Sequence, residues 1–446
     1  MPGRVWIHCD EGVAPLLHAG TCAAIAQAGF AIGPEPGGIG LLLVGALPSA
    51  AALARLRAMP RNSCAIVAFT AAPPRETNAQ LIAAGASDIL DWQAGIAAQQ
   101  FIARAQRWHA VDAHLASPAV QGFLAGASAS WCSLLRQLVE VALYSDAPVL
   151  VTGETGTGKE LLAQLVHRLL ARGELVVVDC TTLTPELAGS ELFGHERGAF
   201  TGATGPRDGA FALAHGGVLF LDEVGELPMP LQAQLLRAVQ ERSYKRVGSS
   251  SWQHTAFRLV CATNRDLEEE VAKGRFRADL YYRIAGWRCA TPPLRERSDD
   301  ILPLARHFLA QLAAPMQPGE FDVSVSHYLL TRAYPGNVRE LRQVVARLWQ
   351  RHCGIGPITI GAVPPEERAA TEAPWPDQQF ECAIRAALDR GLGLARISQA
   401  AGDVAIAQVL AQEDDNNQRA AARLGVTDRA LQIRRKAWSV SAANQA

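Results

Sequence analysis

Read as apolar and polar positions, the chain falls into stretches of different period. Over residues 1 to about 112, the apolar runs RVWIHCD, IGLLLVG and CAIVAFT alternate with TCAAIAQAGF, AALARLRAM and NAQLIAAGA. Short continuous apolar runs predict buried strands, and the segments between them predict helices. Alternation of this kind predicts a parallel sheet. A second α/β stretch is expected from about 125 to 275, then a helical stretch to about 353. VPPEERAATEAPWPDQQ, rich in Pro, Ala and Glu, predicts a linker. Residues 378–446 have no strand pattern and predict helices only. The expected division is an α/β domain over 1–112, a linker at 113–124, a larger domain over 125–357, a linker at 358–377 and an all-helical domain over 378–446.

Composition narrows the function class. A chain of 446 residues suits two or three domains, and 49% apolar residues can fill their cores. A net charge of −1 excludes a wholly basic nucleic-acid coat but not a local basic module. The nine cysteines form no CxxC pair, so free buried thiols in a reducing compartment are expected. Acidic residues in MPGRVWIHCDE precede any signal-like apolar region. The longest apolar run, IGLLLVGALPSAAALA, is broken by Pro48 and falls short of the ~20 residues a membrane span needs. The reading is a soluble cytoplasmic protein with no membrane partner.

The candidate chemistry begins at APVLVTGETGTGKE, which predicts a strand, a glycine-rich turn and a helix start. Gly153, Glu154, Thr155, Gly156, Thr157, Gly158 and Lys159 match the phosphate-loop spacing, with Glu160 where Ser or Thr commonly stands. Backbone N–H groups of such a loop cradle phosphates, and the helix start adds a favourable dipole. The alternative is a glycine turn without a ligand. GGVLFLDEVGEL predicts a strand buried on both faces that ends in Asp222 and Glu223. Asp222 would hold Mg²⁺, and Glu223 would orient or deprotonate a water. FRLVCATN ends in Thr263 and Asn264, suited to placing that water. Arg277, Arg283 and Arg339 are candidate cations for a phosphoryl-transfer transition state, although single arginines more often serve surface ion pairs.

GETGTGKE, ELFGHERGAFTGA, VLFLDE, FRADLYYR, PPLRER and YPGNVREL occur in this order. Together they resemble the AAA+ domain of sigma-54-dependent transcriptional activators, the NtrC-like enhancer-binding proteins, over roughly residues 125–355. The resemblance implies an α/β P-loop ATPase with a helical lid. It assigns ATP to 153–160, Mg²⁺ to Asp222, water activation to Glu223, the first sensor to Thr263 and Asn264, and the second to Arg339. Arg277 and Arg283 become fingers that act on a neighbouring subunit, which implies a dimer that assembles into a ring, usually a hexamer. Asp179 stands where the family commonly has an Asn that restrains the catalytic Glu; ionised beside Glu223, it would repel it. Gly198, Ala199, Phe200, Thr201, Gly202 and Ala203 become the loop that contacts sigma-54 RNA polymerase.

The two ends complete the expected multidomain architecture. In 416–438, Ala420, Ala421 and Leu424 share one helix face, Gly425 breaks the helix and Thr427 can cap the next. Six basic residues face one acidic residue there, and the stretch resembles a Fis-type helix-turn-helix that binds double-stranded DNA. Arg429 and Gln432 are expected at bases, Arg434, Arg435 and Lys436 at phosphates, with Arg423 beside them. The N-terminal domain resembles a response-regulator receiver in degenerate form. Asp10, Glu11 and Thr70 match its acidic pair and switch position, but Val44-Gly45 replaces the phosphoacceptor and SDILDWQ lacks the lysine. Its input could be a protein or a small ligand. The competing readings are a AAA+ protein remodeller, and a DNA-binding regulator acting without sigma-54 or without hydrolysis.

Overall fold

The computed structural model describes residues 3–434, apart from 12, 34–37, 61–62, 75, 93–95, 122–123, 314–318, 369–377, 414–415 and 433. The chain forms two compact units, Met1–Arg368 and Ala369–Ala446.

The first unit begins with β1 (Arg4–Cys9), α1 (Pro15–Gln27), β2 (Ala31–Ile32), β3 (Ile39–Val44), α2 (Ala50–Ala58), β4 (Cys64–Phe69), α3 (Thr77–Ala84), β5 (Asp88–Asp91) and α4 (Ala97–Leu115). The five strands make one parallel sheet, ordered β2-β1-β3-β4-β5. Every residue of β3 and β4 is buried, as their unbroken apolar runs require. Gly40 makes room for Trp6: a Cβ at residue 40 would lie 1.8 Å from the indole. At the carboxyl edge of the sheet, Asp10 is buried, and its carboxylate accepts hydrogen bonds from the Ser49 N–H and hydroxyl. Ser49 caps α2, so Asp10 is committed to local structure. The Thr70 hydroxyl donates to the Val44 carbonyl.

The chain continues through α5 (Pro118–Gln121), α6 (Ala129–Tyr144), β6 (Val149–Thr152), α7 (Lys159–Leu170), β7 (Leu175–Asp179), α8 (Pro185–Phe193), α9 (Ala210–Leu213) and β8 (Val218–Asp222). Next come α10 (Met229–Glu241), the short hairpin β9 (Ser243–Tyr244) and β10 (Gln253–His254), β11 (Arg258–Thr263), α11 (Leu267–Ala272), α12 (Ala278–Ile284) and β12 (Trp287–Ala290). A second parallel sheet has the order β12-β6-β11-β8-β7. One face packs on α6 and α7 through Leu138, Leu162, Val166 and Phe220, the other on α8, α9 and α10 through Leu192, Phe211 and Leu235. The strand β12 corrects the expectation of helix throughout 275–353.

A helical layer follows: α13 (Ile301–Ala313), α14 (Val323–Thr331), α15 (Asn337–Gln350) and α16 (Pro365–Arg368). Its core joins Leu304, Leu329, Val344 and Leu348 to Ile358 and Val363. Glu367 pairs with Arg332 and Arg347. Residues 358–368 are therefore part of this layer, not the linker expected there. The linker expected at 113–124 also differs: α4 runs to Leu115, with Trp108 in the first sheet's core and Val111, Val120 and Leu124 in the second's. Arg136 and Arg107 pair with Asp112 and Glu140 between α4 and α6.

The second unit contains α17 (Gln378–Asp389), α18 (Leu394–Gln412), α19 (Asn417–Leu424) and a helical segment at 428–432. Ile406, Leu410, Ala420, Ala421 and Leu431 form its core. Of the nine cysteines, all free, only Cys64, Cys180, Cys261 and Cys289 are buried. No helix among the described residues is long and apolar enough to cross a membrane.

Candidate functional site

The carboxyl ends of β6, β8 and β11 meet above the second sheet, the edge where α/β sheets bind ligands. After β6 the chain turns through Gly153–Gly158 into α7, whose first residue is Lys159. At Gly156 the loop touches the start of α15: a Cβ there would lie 2.3 Å from the Gly336 carbonyl oxygen, so only glycine permits the approach. Lys159 is buried, and its ammonium donates to the carbonyls of Gly153 and Glu154 at 2.9 and 3.5 Å. It also lies 3.4 Å from Glu223 Oε1. Thr157 is buried, with its hydroxyl 2.7 Å from that of Thr291. Its carbonyl accepts from Arg297, whose guanidinium lies over Trp131 on α6.

Asp222 ends β8 and Glu223 follows in the left-handed region at φ 49. Burial, then the neighbouring Glu223 carboxylate, push the Asp222 carboxyl above its usual range. Among the described residues no group of three or more His, Cys, Asp or Glu could hold a metal. Asp222 offers one carboxylate at the strand end, the kind of donor Mg²⁺ takes beside a ligand's phosphates. Glu223 Oε2 accepts from the Asn264 N–H at 2.9 Å, and the Asn264 side chain donates to the Thr155 hydroxyl at 3.3 Å. Thr263 is fully buried, and its hydroxyl accepts from the Arg265 N–H. At the start of α15, the Val338 and Arg339 N–H groups donate to the Gly156 carbonyl. The Arg339 side chain is exposed, and its guanidinium has no protein partner among the described residues.

Several of the expected site residues also have local partners. Glu154 turns its carboxylate away from the cradle to Arg295 and Asn337, so only its backbone can line a phosphate site. The Glu160 side chain accepts from Gln164 on its own helix. Asp179 lies opposite Asp222 in the strand register, one residue before Glu223. Its carboxylate accepts from the Thr181 N–H and hydroxyl, and its charge acts on Asp222, its partner in the strand register. Asp179 tops an edge strand, so a local cap captures it. Arg277 is paired with Asp279, and Arg283 donates to the Val239 carbonyl; both belong to the exposed side of α12, and among the described residues neither side chain bonds to its own phosphate loop.

Residues 198–203 form a separate projection after α8. The Gly198 N–H donates to the Ala203 carbonyl, which closes the loop. Ala203 is buried at its base, Ala199 is partly covered, and Thr201 and Gly202 are exposed. Phe200 is 39% exposed, with its ring edge-on to the buried His195, whose Nδ1 meets the Ser190 hydroxyl. Phe200 is thus a surface residue resting on a fixed base, not a core side chain.

In the second unit Gly425 ends α19 at φ 66, and the Thr427 hydroxyl accepts from the Ala430 N–H, capping the segment at 428–432. Arg429 is exposed and makes no side-chain contact among the described residues. Gln432 donates to Asp428. Arg423 and Arg434, expected to contact DNA, pair with Glu413 and Asp403 within the unit. Arg435 and Lys436 lie outside the described residues.

Two family models match: the Sigma-54 interaction domain over residues 124–289 and the AAA+ ATPase lid domain over 295–378. The transcriptional regulatory protein ZraR of Klebsiella oxytoca is 48% identical over 235 residues, which cover 52% of this chain and 53% of that protein. The regulatory protein AtoC of Escherichia coli is 37% identical over 329 residues, 71% of this chain and 68% of that protein. NtrX from Brucella abortus, crystallised in complex with ATP, has the same overall fold at a TM-score of 0.52 and 23% identity, over 98% of this chain and 99% of that one. The chain spans about half the length of most of the curated relatives it matches.

Proposed function

Because the chain belongs to the family of sigma-54-dependent transcriptional regulators, we propose that it hydrolyses ATP in a ring of identical subunits and uses the stroke to remodel sigma-54 RNA polymerase at promoters. The observation that carries this reading is the placement of Lys159, Asp222, Glu223 and Asn264 on three adjacent strand ends, with Arg339 brought to the same loop by α15.

The roles follow from position. N–H groups of 153–159 and the start of α7 bind phosphate oxygens, and Lys159 neutralises the terminal phosphates. Asp222 would hold Mg²⁺, which when bound offsets phosphate charge. Glu223 takes the proton of the attacking water, and Asn264 fixes the Glu223 carboxylate through its N–H. Arg339 adds positive charge from the lid. The loop Gly198–Ala203 holds none of these groups. It supports a reading as the part that touches sigma-54, with Phe200 and Thr201 as the contact.

Energy and work should therefore separate. Phe200→Ala should keep its melting temperature and hydrolyse ATP within a few-fold of wild type, yet fail to open a sigma-54 promoter. If Phe200 were structural, truncating it would cost ~3–5 kcal/mol and ATPase activity would fall together with stability. Arg429→Ala should do the reverse: ATPase activity is kept while a footprint on upstream DNA weakens, since the capped helix at 428–432 would enter the major groove. A footprint unchanged in Arg429→Ala would move DNA reading elsewhere.

The N-terminal domain reads as a degenerate receiver that takes no phosphoryl group. β3 ends in Val44 with no carboxylate to accept one, and Asp10 is engaged by Ser49. Incubation with acetyl phosphate should leave its intact mass unchanged; a stoichiometric phosphoryl adduct on this domain would contradict the reading.

A further inference from the structure

We infer that Glu154 and Arg295 are a positioning pair that sets Arg339 against the phosphate loop, so that a carboxylate inside the loop fixes the stance of the lid's cation. The inference rests on the ATPase reading above. Glu154 is the second residue of the loop, yet its two oxygens face away from the cradle. One accepts from Arg295 Nη2 at 2.6 Å; the other accepts from Arg295 Nη1 at 2.9 Å and from the Asn337 side-chain amide at 3.0 Å. A two-pronged guanidinium–carboxylate pair fixes direction as well as distance. Arg295, then Asn337, hold the Glu154 carboxyl down to about 2, so it is ionised at any working pH.

Asn337 explains why the pair matters for Arg339. It is fully buried and sits at φ 51, in the left-handed region that asparagine enters more readily than other non-glycine residues. Its amide nitrogen also reaches the Thr155 carbonyl at 3.1 Å, and its oxygen accepts from the Leu294 N–H at 2.8 Å. Glu154, Arg295 and Asn337 thus close a junction between the phosphate loop, the PPLRER turn and the first residue of α15. Two residues on is Arg339, whose Cβ would nearly touch any side chain at Gly156. A small rotation of α15 therefore displaces the Arg339 guanidinium directly. The pairing has a second effect. An unpaired Arg295 beside the loop would compete for phosphate, and Glu154 removes that competition by holding it.

The test is a double-mutant cycle on the full chain, reading kcat for ATP hydrolysis and the Kd of a fluorescent ATP analogue. Glu154→Gln should lower kcat by about 10- to 100-fold, the scale of a misplaced positioning group, with Kd within a few-fold. In the Arg339→Ala background the same change should alter kcat by less than about twofold, because there is no longer a guanidinium to misplace. Arg295→Gln, which breaks the junction from its other side, should reproduce both results and guards against a Glu154→Gln protein that folds poorly. An equal loss in both backgrounds would overturn the inference, as would rate losses that track falling melting temperatures in both variants. A wild-type chain that does not hydrolyse ATP would instead defeat the ATPase reading.

Discussion

Rings built from Arg277→Ala subunits should hydrolyse ATP on the order of 10³–10⁵-fold more slowly than wild type, the contribution of an arginine finger. Action between subunits belongs to the proposed ring, and Arg277 lies where it could reach outward. Arg277 caps the start of α12 with its backbone N–H held by the buried Gln232, while its guanidinium is turned outward to Asp279. The Asp279 pair is exposed, and exposed pairs exchange readily for a better anion. A γ-phosphate on a neighbouring subunit is such an anion. The decisive measurement mixes two inactive proteins, Arg277→Ala and Lys159→Ala. Some interfaces then join an intact phosphate site to an intact finger, and part of the activity should return. Well-mixed rings with no recovery would place Arg277 in its own subunit's site or outside the chemistry.

Glu223→Gln should bind ATP within a few-fold of wild type and lose about 10²–10⁴-fold in kcat, the range for a positioned general base. Glutamine keeps the length and shape of the side chain and can still accept from the Asn264 N–H, so the local fold should survive. What it cannot do is take a proton. The backbone supports the assignment: among the described residues Glu223 is one of four non-glycine residues with positive φ, and it sits directly after the strand end that carries Asp222. Strain of that kind persists where surrounding structure imposes it, and it is concentrated at functional positions. Steady-state ATPase and nucleotide-binding assays decide the matter; turnover near wild type in Glu223→Gln would remove Glu223 from the mechanism.

How much of this was legible in the sequence depended on how far apart the cooperating residues lie. The strands β1, β3, β4, β6, β8 and β11 could be read because their apolar runs admit few other structures, as in IGLLLV and VLFLD; β2, of two exposed residues, could not. The residues that follow those strands, Lys159 after the turn, Asp222 and Glu223, Thr263 and Asn264, could be placed at one edge for the same reason. β12 could not. WRCA is four residues long, alternates partly buried and exposed positions, and pairs on one side only, with β6. Its signal is too short to outweigh its polar Arg288. The Glu154 junction was unreadable for a different reason. Its members are 141 and 183 residues apart, and loop residues follow no period that would bring them together. The quoted motifs contained all three side chains without indicating that they meet. Asp179 and Arg434 each also have a near partner, Thr181 and Asp403, that no motif indicated.

Helix α4 bears on how a signal would travel. Nineteen residues of α-helix extend for roughly 28 Å. Phe101, Ala105 and Trp108 anchor one part of that length in the first sheet's core, and Val111 anchors the rest in the second's. A rod clamped at both ends is a lever, not a tether. A force applied at the first sheet would reach the ATPase as torque on α6, through the Arg136–Asp112 and Arg107–Glu140 pairs. From α6 the strain has a short onward path, through Trp131 and the Arg297 stacked on it to the Thr157 carbonyl in the phosphate loop. The same geometry sets a rule for dissection. Cutting the chain at residue 112 would sever the lever beside its second anchor and leave a hole where Val111 packs, so an isolated ATPase needs α4 to remain whole.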